Sequence, residues 1–388
     1  MKDIYLDNCA TTRVHPQVAA AMMSVLREAY GNPSSAHRRG QAAEELVKKA
    51  RRQVARVFRA KPEEILFTSG GTESNNWAVL ETARARIRRG RRLVTTRVEH
   101  LSVLRVIQRL EAEGFTATYL PVDKYGQVDL AALAAALSPD TILVSIMHVN
   151  NEVGSIMPLA DIAGLIKQKA PQAIWHVDAV QSFAKLPLYP HELGIDLVSI
   201  SAHKIMGPKG VGALFVREGL NLPPLLVGGG QEAGSRSGTE NVPGIVGLGL
   251  AAELLWERLT ENSIHLARLK ARLSQRVLAE IPDVCVNGPQ DSNGAAHILN
   301  LSFPGLKGEV LLHALEDKGI YVATGAACSS RRPEGSHVLQ ALELETRRLN
   351  ASIRFCFSPE NTVEEIDYTA DCLAEIVPKL RRIMMNKI

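Results

Sequence analysis

The sequence predicts an α/β protein built on a mostly parallel sheet with helices on both faces. Short β-branched apolar stretches alternate with amphipathic segments of helical length along most of the chain. The apolar residues, 46% of 388, are chiefly Ala, Leu and Val, with only 5% aromatics, as alternating helices and buried strands require. Many strand candidates end in polar turns, where open α/β sheets gather their ligands.

A short strand is expected at 4–6, followed by the polar turn 7–12. Helical periodicity over 15–30 stops at Gly31-Asn-Pro33, and residues 34–37 lead into a long amphipathic helix reaching Phe58. Strand 65–68 runs directly into Ser69-Gly-Gly-Thr-Glu-Ser-Asn-Asn76 and then a helix toward Arg86. The free backbone N–H groups of that helix start, with Gly71 and the Thr72 hydroxyl, suit a phosphate, although the stretch is neither a Walker loop nor Gly-x-Gly-x-x-Gly. Strand 92–96 closes in Val98-Glu-His100 before helix 101–111. Strands 116–122 and 141–149 flank helix 129–137, and Asn150-Asn-Glu-Val-Gly154 ends the second of them. A helix begins at Pro158, and strand 173–178 ends on an acid, Asp178.

Strands 195–200 and 211–216 bracket Ser201-Ala-His-Lys-Ile-Met-Gly-Pro-Lys-Gly210. The polar loop 228–241 precedes helices at 243–259 and 263–280. Beyond them strands are expected at 284–286, 297–303 and 352–357, and helices at 308–318 and 363–382. The small-residue loop 323–336 carries one thiol, Cys328. These patterns divide the chain into a large domain, 15–255, and a small one, 1–14 with 256–388, which holds the Cys328 loop.

Composition excludes several classes. A net charge of +4 says little about partners, and the arginines from Arg84 to Arg92 read as a solvated helix end, so direct nucleic-acid binding is not expected. The five cysteines (Cys9, Cys285, Cys328, Cys356, Cys372) show no Cys-x-x-Cys spacing, and no His-Glu-x-x-His occurs, so no metal site is expected. They fit a reducing compartment. With no apolar signal core and no membrane-length stretch, a cytoplasmic protein is expected.

A lysine held between two buried strands loses hydration of its charged form, and its neutral amine becomes a nucleophile toward an aldehyde. Alone, Lys204 reads more readily as a surface lysine in a Gly/Pro turn. Asp178 and the anion cradle change that balance. A pyridoxal 5'-phosphate enzyme needs a lysine for the aldehyde, an acid to keep the pyridine nitrogen protonated, and a helix N-terminus for the phosphate.

Motifs spread over nearly the whole chain extend this reading: Tyr5-Leu-Asp-Asn-Cys-Ala-Thr-Thr12, Thr68-Ser-Gly-Gly-Thr-Glu-Ser-Asn75, Val98-Glu-His100, His148-Val-Asn-Asn-Glu-Val-Gly154, His176-Val-Asp-Ala-Val-Gln181, Ser201-Ala-His-Lys204, Arg236-Ser-Gly-Thr239, Gly325-Ala-Ala-Cys328 and Ser352-Ile-Arg-Phe355. In these the chain resembles the cysteine desulfurases of the nitrogen-fixation and iron–sulfur-cluster type, class V members of the fold-type I pyridoxal-phosphate enzymes. The resemblance implies a large domain with a mostly parallel sheet and a smaller C-terminal α/β domain. It implies that Lys204 holds the cofactor and moves protons, that Asp178 pairs with the pyridine nitrogen, that Gln181 bonds the ring hydroxyl, and that His100 stacks on the ring. Thr72, Ser201 and His203 would bind the phosphate, joined by Thr239 from the second subunit of a homodimer. Asn151 and Arg354 would hold L-cysteine, and the Cys328 thiolate would take its sulfur as a persulfide, leaving alanine. Arg331 and Arg332 place positive charge near that thiol in sequence. The persulfide would pass to a sulfur-acceptor protein, and an iron–sulfur scaffold and the thiolation of tRNA or of a cofactor all remain open. A selenocysteine lyase is the rival reading within the same site chemistry. Two departures from the family pattern stand near the site, Cys9 and the run Phe355-Cys-Phe-Ser-Pro359 after Arg354.

Overall fold

The computed structural model describes residues 3–324 and 335–385, so Cys328, Arg331 and Arg332 lie outside the described residues. Its strands in chain order are β1 (Ile4–Tyr5), β2 (Ile65–Thr68), β3 (Arg92–Thr96), β4 (Thr116–Leu120), β5 (Thr141–Ser145), β6 (Ile174–Asp178), β7 (Leu197–Ser201), β8 (Gly212–Val216), β9 (Cys285–Asn287), β10 (Ile298–Ser302), β11 (Ile320–Tyr321), β12 (Ala323–Thr324) and β13 (Ser352–Cys356).

The large sheet has seven strands in the order β2-β8-β7-β6-β5-β3-β4. Strands β4, β3, β5, β6 and β7 run parallel, and β8 pairs antiparallel with both β7 and β2. Every residue of β5, β6 and β7 is buried, which is why these strands read as near-continuous apolar runs. The reversal at β8 brings the connection after β7, where Lys204 sits, back over the carboxyl end of the sheet. Strand β5 stops at Ser145, short of the expected Val149. There the chain folds back, Val149 bridges Ile156, and the Asn150 Oδ1 accepts from the N–H groups of Glu152 and Val153.

Helix Arg38–Phe58 buries Ala43, Val47, Ala50, Val54 and Val57 on one stripe, against helix Val242–Glu257. Arg59 in the left-handed region ends it, its N–H returning to the Ala55 and Arg56 carbonyls. A second sheet, order β12-β13-β10-β9, is antiparallel throughout, and helices Leu259–Glu280 and Val363–Met385 pack together beside it.

The apolar interior is segregated. One set of clusters is built from residues between Val18 and Leu255, joined by Val338, Leu339 and Leu342. Another joins Ile4 and Leu6 to residues between Leu266 and Val377. A small cluster containing Cys9, Val149, Ala295, Ile298 and Cys356 lies apart from both. Cys9 and Cys356 form a disulfide with a Cα separation of 5.6 Å, a pairing that a sequence separation of 347 conceals. Cys285 and Cys372 are free thiols. Among the described residues no helix is long and apolar enough to cross a membrane.

Candidate active site

A cavity of about 550 Å³ opens at the carboxyl end of the large sheet. It is lined by Gly71, Thr72, His100, Asn151, Asp178, Gln181, Ser201, His203, Lys204 and Arg354, which the sequence had singled out separately. Strand ends explain the convergence. Asp178 is the last residue of β6, Ser201 the last of β7, His100 caps the helix after β3, and Asn151 follows the turn after β5.

Lys204 ends the short helical turn Ala202–Lys204 that follows β7. Its ammonium donates to the carbonyls of Cys9 and, at 2.8 Å, Ala10, so the polar turn 7–12 forms the wall facing it. Asp178 is 5% exposed. Its Oδ2 accepts from Asn75 Nδ2 at 2.7 Å and its Oδ1 from the Val180 N–H at 2.9 Å. Asn75 also donates to Ser102 Oγ, and both Ser102 groups meet His100 Nδ1, the hydroxyl at 2.7 Å and the N–H at 3.2 Å. The backbone N–H makes Nδ1 an acceptor, so His100 is held as one tautomer. Burial pushes the His100 pKa below its ordinary value; the Asp178 charge opposes this and Lys204 adds to it.

The cradle is shaped by glycines. Gly70 has φ +148°, and a Cβ on Gly71 would stand 2.6 Å from Val180 Cγ2. Helix Gly71–Ala85 therefore starts pressed against the β6 end, its first N–H groups without intrahelical acceptors. Glu73 occupies the Ser69 N–H and is ion-paired with Arg236 at 2.9 Å, so its charge is compensated. His203 is pushed down to about 4, by burial first and then by Lys204, Lys209 and Lys185, and is a neutral donor or acceptor at neutral pH.

Arg354 on β13 is 3% exposed. Its Nη2 meets Asp7 at 2.8 Å, its Nη1 donates to the Asn151 carbonyl at 2.9 Å, and its Nε has no partner. Gln181 donates to the Cys9 carbonyl, while its buried Oε1 likewise lacks a partner. Both residues line the cavity, and a buried polar atom without a partner calls for an explanation such as a ligand group nearby. Together with the glycine cradle, the Asp178 carboxylate and the lysine, they fit pyridoxal phosphate: an acid for the ring nitrogen, an amide for a ring substituent, N–H groups for phosphate. Thr239 is exposed and does not line the cavity in this single chain, and Cys328 lies outside the described residues.

Sequence reasoning missed Asn75 as the holder of Asp178, Asp7 as the partner of Arg354, and Glu99. The Asn75 and Asp7 positions lay inside quoted motifs, but only tertiary contact gives them a role. Glu99 is fully buried, accepts from Thr96 Oγ1 and the Met147 N–H through Oε1, and leaves Oε2 unpartnered. Burial pushes its pKa up to about 8, so it is a neutral acid at pH 7. The unfolded chain ionises near 4.5, so the folded state loses stability as pH rises from there toward 8. Glu99→Gln, which mimics the protonated acid, is expected to fold normally and to flatten that part of the stability–pH curve in thermal melts.

The family model described as aminotransferase class-V matches residues 4–369. A curated relative from Dictyoglomus turgidum, named cysteine desulfurase IscS, is 44% identical over 386 residues, covering 100% of this chain and 97% of the relative. A solved structure described as a NifS-like protein superposes with a TM-score of 0.92 at 40% identity, covering 97% of this chain and 100% of the other. Another, described as SspA in complex with cysteine, gives a TM-score of 0.81 at 32% identity, with 92% and 100% covered.

Proposed function

The chain belongs to the class-V aminotransferase family, and on that footing we propose that it is a pyridoxal-phosphate-dependent cysteine desulfurase, taking L-cysteine to L-alanine and carrying the sulfur as a persulfide on Cys328. The observation that carries this reading is the cavity that Lys204, Asp178, Gln181 and Arg354 line together. The cofactor supplies an electrophilic carbonyl and an electron-withdrawing ring that weakens bonds at the substrate's α-carbon.

The protein's own groups divide the remaining work. Lys204 would hold the cofactor's carbonyl carbon through Nζ and would carry protons at that atom. Asp178, fixed by Asn75 and the Val180 N–H, keeps its carboxylate in place to retain the ring-nitrogen proton. His100, locked through Nδ1 and lining the same cavity, would assist proton transfer at the cofactor. The Gly71 and Thr72 backbone, the Thr72 and Ser201 hydroxyls and His203 would hold the phosphate. Arg354 and Asn151 take the amino acid, the guanidinium meeting the carboxylate. The Cys328 thiolate attacks the substrate sulfur: an S–S bond forms, the C–S bond breaks with its electron pair left on carbon, and a proton delivered there completes alanine.

Thr239 is placed on the phosphate of a second subunit, a reading supported by its exposure and by the neighbouring loop that exposes Leu226 and Val227. The division at residue 255 is supported by the separate apolar cores. The reading extends to a cytoplasmic enzyme that hands sulfur to an acceptor protein, an iron–sulfur scaffold or a thiolation enzyme. Purified, cofactor-loaded protein is expected to release alanine and sulfide in equal amounts from L-cysteine with a thiol reductant. If it releases alanine only from selenocysteine, the cofactor site stands and the substrate assignment falls.

A further inference from the structure

The Cys9–Cys356 disulfide stands at the wall of the active cavity: Cys9 lines that cavity, and Cys356 lies on β13, two residues beyond Arg354. The bond is not needed to bring the two segments together. The Cys356 N–H donates to the Leu6 carbonyl at 2.7 Å, Asn8 Nδ2 donates to the Cys356 carbonyl at 2.9 Å, and Asp7 pairs with Arg354. What the bond adds is a hold on Cys9 itself. The Cys9 carbonyl accepts from both Lys204 Nζ and Gln181 Nε2, and the next carbonyl, that of Ala10, also accepts from Lys204. Lys204 and Gln181 are the residues proposed above for the cofactor's carbonyl and ring hydroxyl.

We propose that Cys9 and Cys356 are a redox modification site for small thiols and their disulfides, and that the disulfide form slows cofactor capture by holding the Cys9 and Ala10 carbonyls on Lys204. The proposal rests on Lys204 being the cofactor lysine. Bonded sulfurs stand about 2.05 Å apart, whereas two thiols separate to van der Waals distance, roughly 3.5–4 Å. Cys356 is buried in β13 opposite Ile298 of β10, while Cys9 sits in a turn closed by the Ala10 N–H on the Asp7 carbonyl. The release on reduction therefore falls on Cys9. Its carbonyl is then no longer pinned, and the contacts with Lys204 and Gln181 loosen together.

The exchange balances without any further reactant. The thiolate of a small thiol that enters the cavity attacks the Cys9 sulfur and forms a mixed disulfide there. The Cys9–Cys356 bond breaks, and its electron pair leaves with the Cys356 sulfur, which takes a proton. A second small thiol attacks the outer sulfur of the mixed disulfide, Cys9 leaves as thiolate and is protonated, and the two small thiols depart joined as a disulfide. The reverse sequence, with the small disulfide as oxidant, restores the bond. Cys9 is the point of entry because it lines the cavity, whereas Cys356 is fully buried. In the reducing compartment that the cysteine spacing fits, the dithiol is the resting form.

The test is the rate at which the full-length protein, freed of cofactor, takes up pyridoxal phosphate after equilibration with 2-mercaptoethanol or its disulfide and transfer to thiol-free, oxygen-free buffer. The disulfide form is expected to take up cofactor about tenfold more slowly than the dithiol form, the worth of one hydrogen bond from a charged donor. Cys356→Ala, which keeps Cys328 and removes the bond, is expected to show the dithiol rate after either treatment, and Cys9→Ala likewise. Equal rates for the two wild-type forms, or a variant that still responds to the treatment, would overturn the proposal. Where a variant does not fold, graded mixtures of the small thiol and its disulfide decide with the wild-type chain. Alkylation mapping gives the fraction of Cys9 joined to Cys356, and the uptake rate should fall as that fraction rises; a rate that does not follow it would refute the site. Borohydride fixation of the cofactor to a lysine other than Lys204 in both forms would instead overturn the lysine assignment on which the proposal rests.

Discussion

Lys204→Ala is expected to leave no cofactor that borohydride can fix to the protein and to lower turnover of L-cysteine about 10⁴-fold or more. No other described lysine lines the front cavity except Lys209, which is exposed and follows the turn Met206-Gly-Pro208. Lys204 is also the lysine whose place is fixed from three directions: by β7, by the short turn Ala202–Lys204, and by the carbonyls of residues 9 and 10. Removing it costs both the covalent anchor and the proton carrier, and groups that act as a unit lose nearly everything when one is removed. The phosphate cradle and Asp178 would still bind the cofactor noncovalently, so the variant should remain folded and take up cofactor removable by dialysis. Peptide mapping after borohydride reduction checks this, and a fixed cofactor at Lys209 would reassign the site.

Arg354→Ala is expected to weaken L-cysteine about 10²- to 10⁴-fold while cofactor stays bound, because two charge-assisted hydrogen bonds at about 1.5–3 kcal/mol each are lost. The structure adds a cost that sequence alone did not show. Arg354 is buried and paired with Asp7, so alanine also strands that carboxylate and should lower the melting temperature. Arg354→Lys should recover much of the stability but little of the affinity, since an ammonium cannot meet a carboxylate with a planar fork. Cysteine-induced absorbance changes give the affinity, and an unchanged value would remove Arg354 from the substrate site.

The residues proposed to carry the chemistry were legible wherever a strand ends in a polar side chain. Asp178, Ser201 and Lys204 follow buried apolar runs, and the Ser69–Asn76 stretch breaks a strand into a helix with glycines, so each announces its position locally. What supports them was not legible, because it comes from far away in sequence. Asp7 meets Arg354 across 347 positions and Cys9 closes on Cys356 across the same interval. Asn75 reaches Asp178 only because helix Gly71–Ala85 leans on β6. The two-residue strands β11 and β12 are too short for any period, and the antiparallel pairing of β8 is a matter of topology that alternation does not encode.

The most direct test of the account follows the sulfur. Holoprotein given one equivalent of L-cysteine without reductant should yield alanine and one extra sulfur atom on the peptide containing Cys328, read by mass spectrometry, and Cys328→Ala should retain cofactor yet make no alanine. Undiminished alanine from Cys328→Ala, or the extra sulfur on a peptide containing Cys9, Cys285 or Cys372, would contradict it.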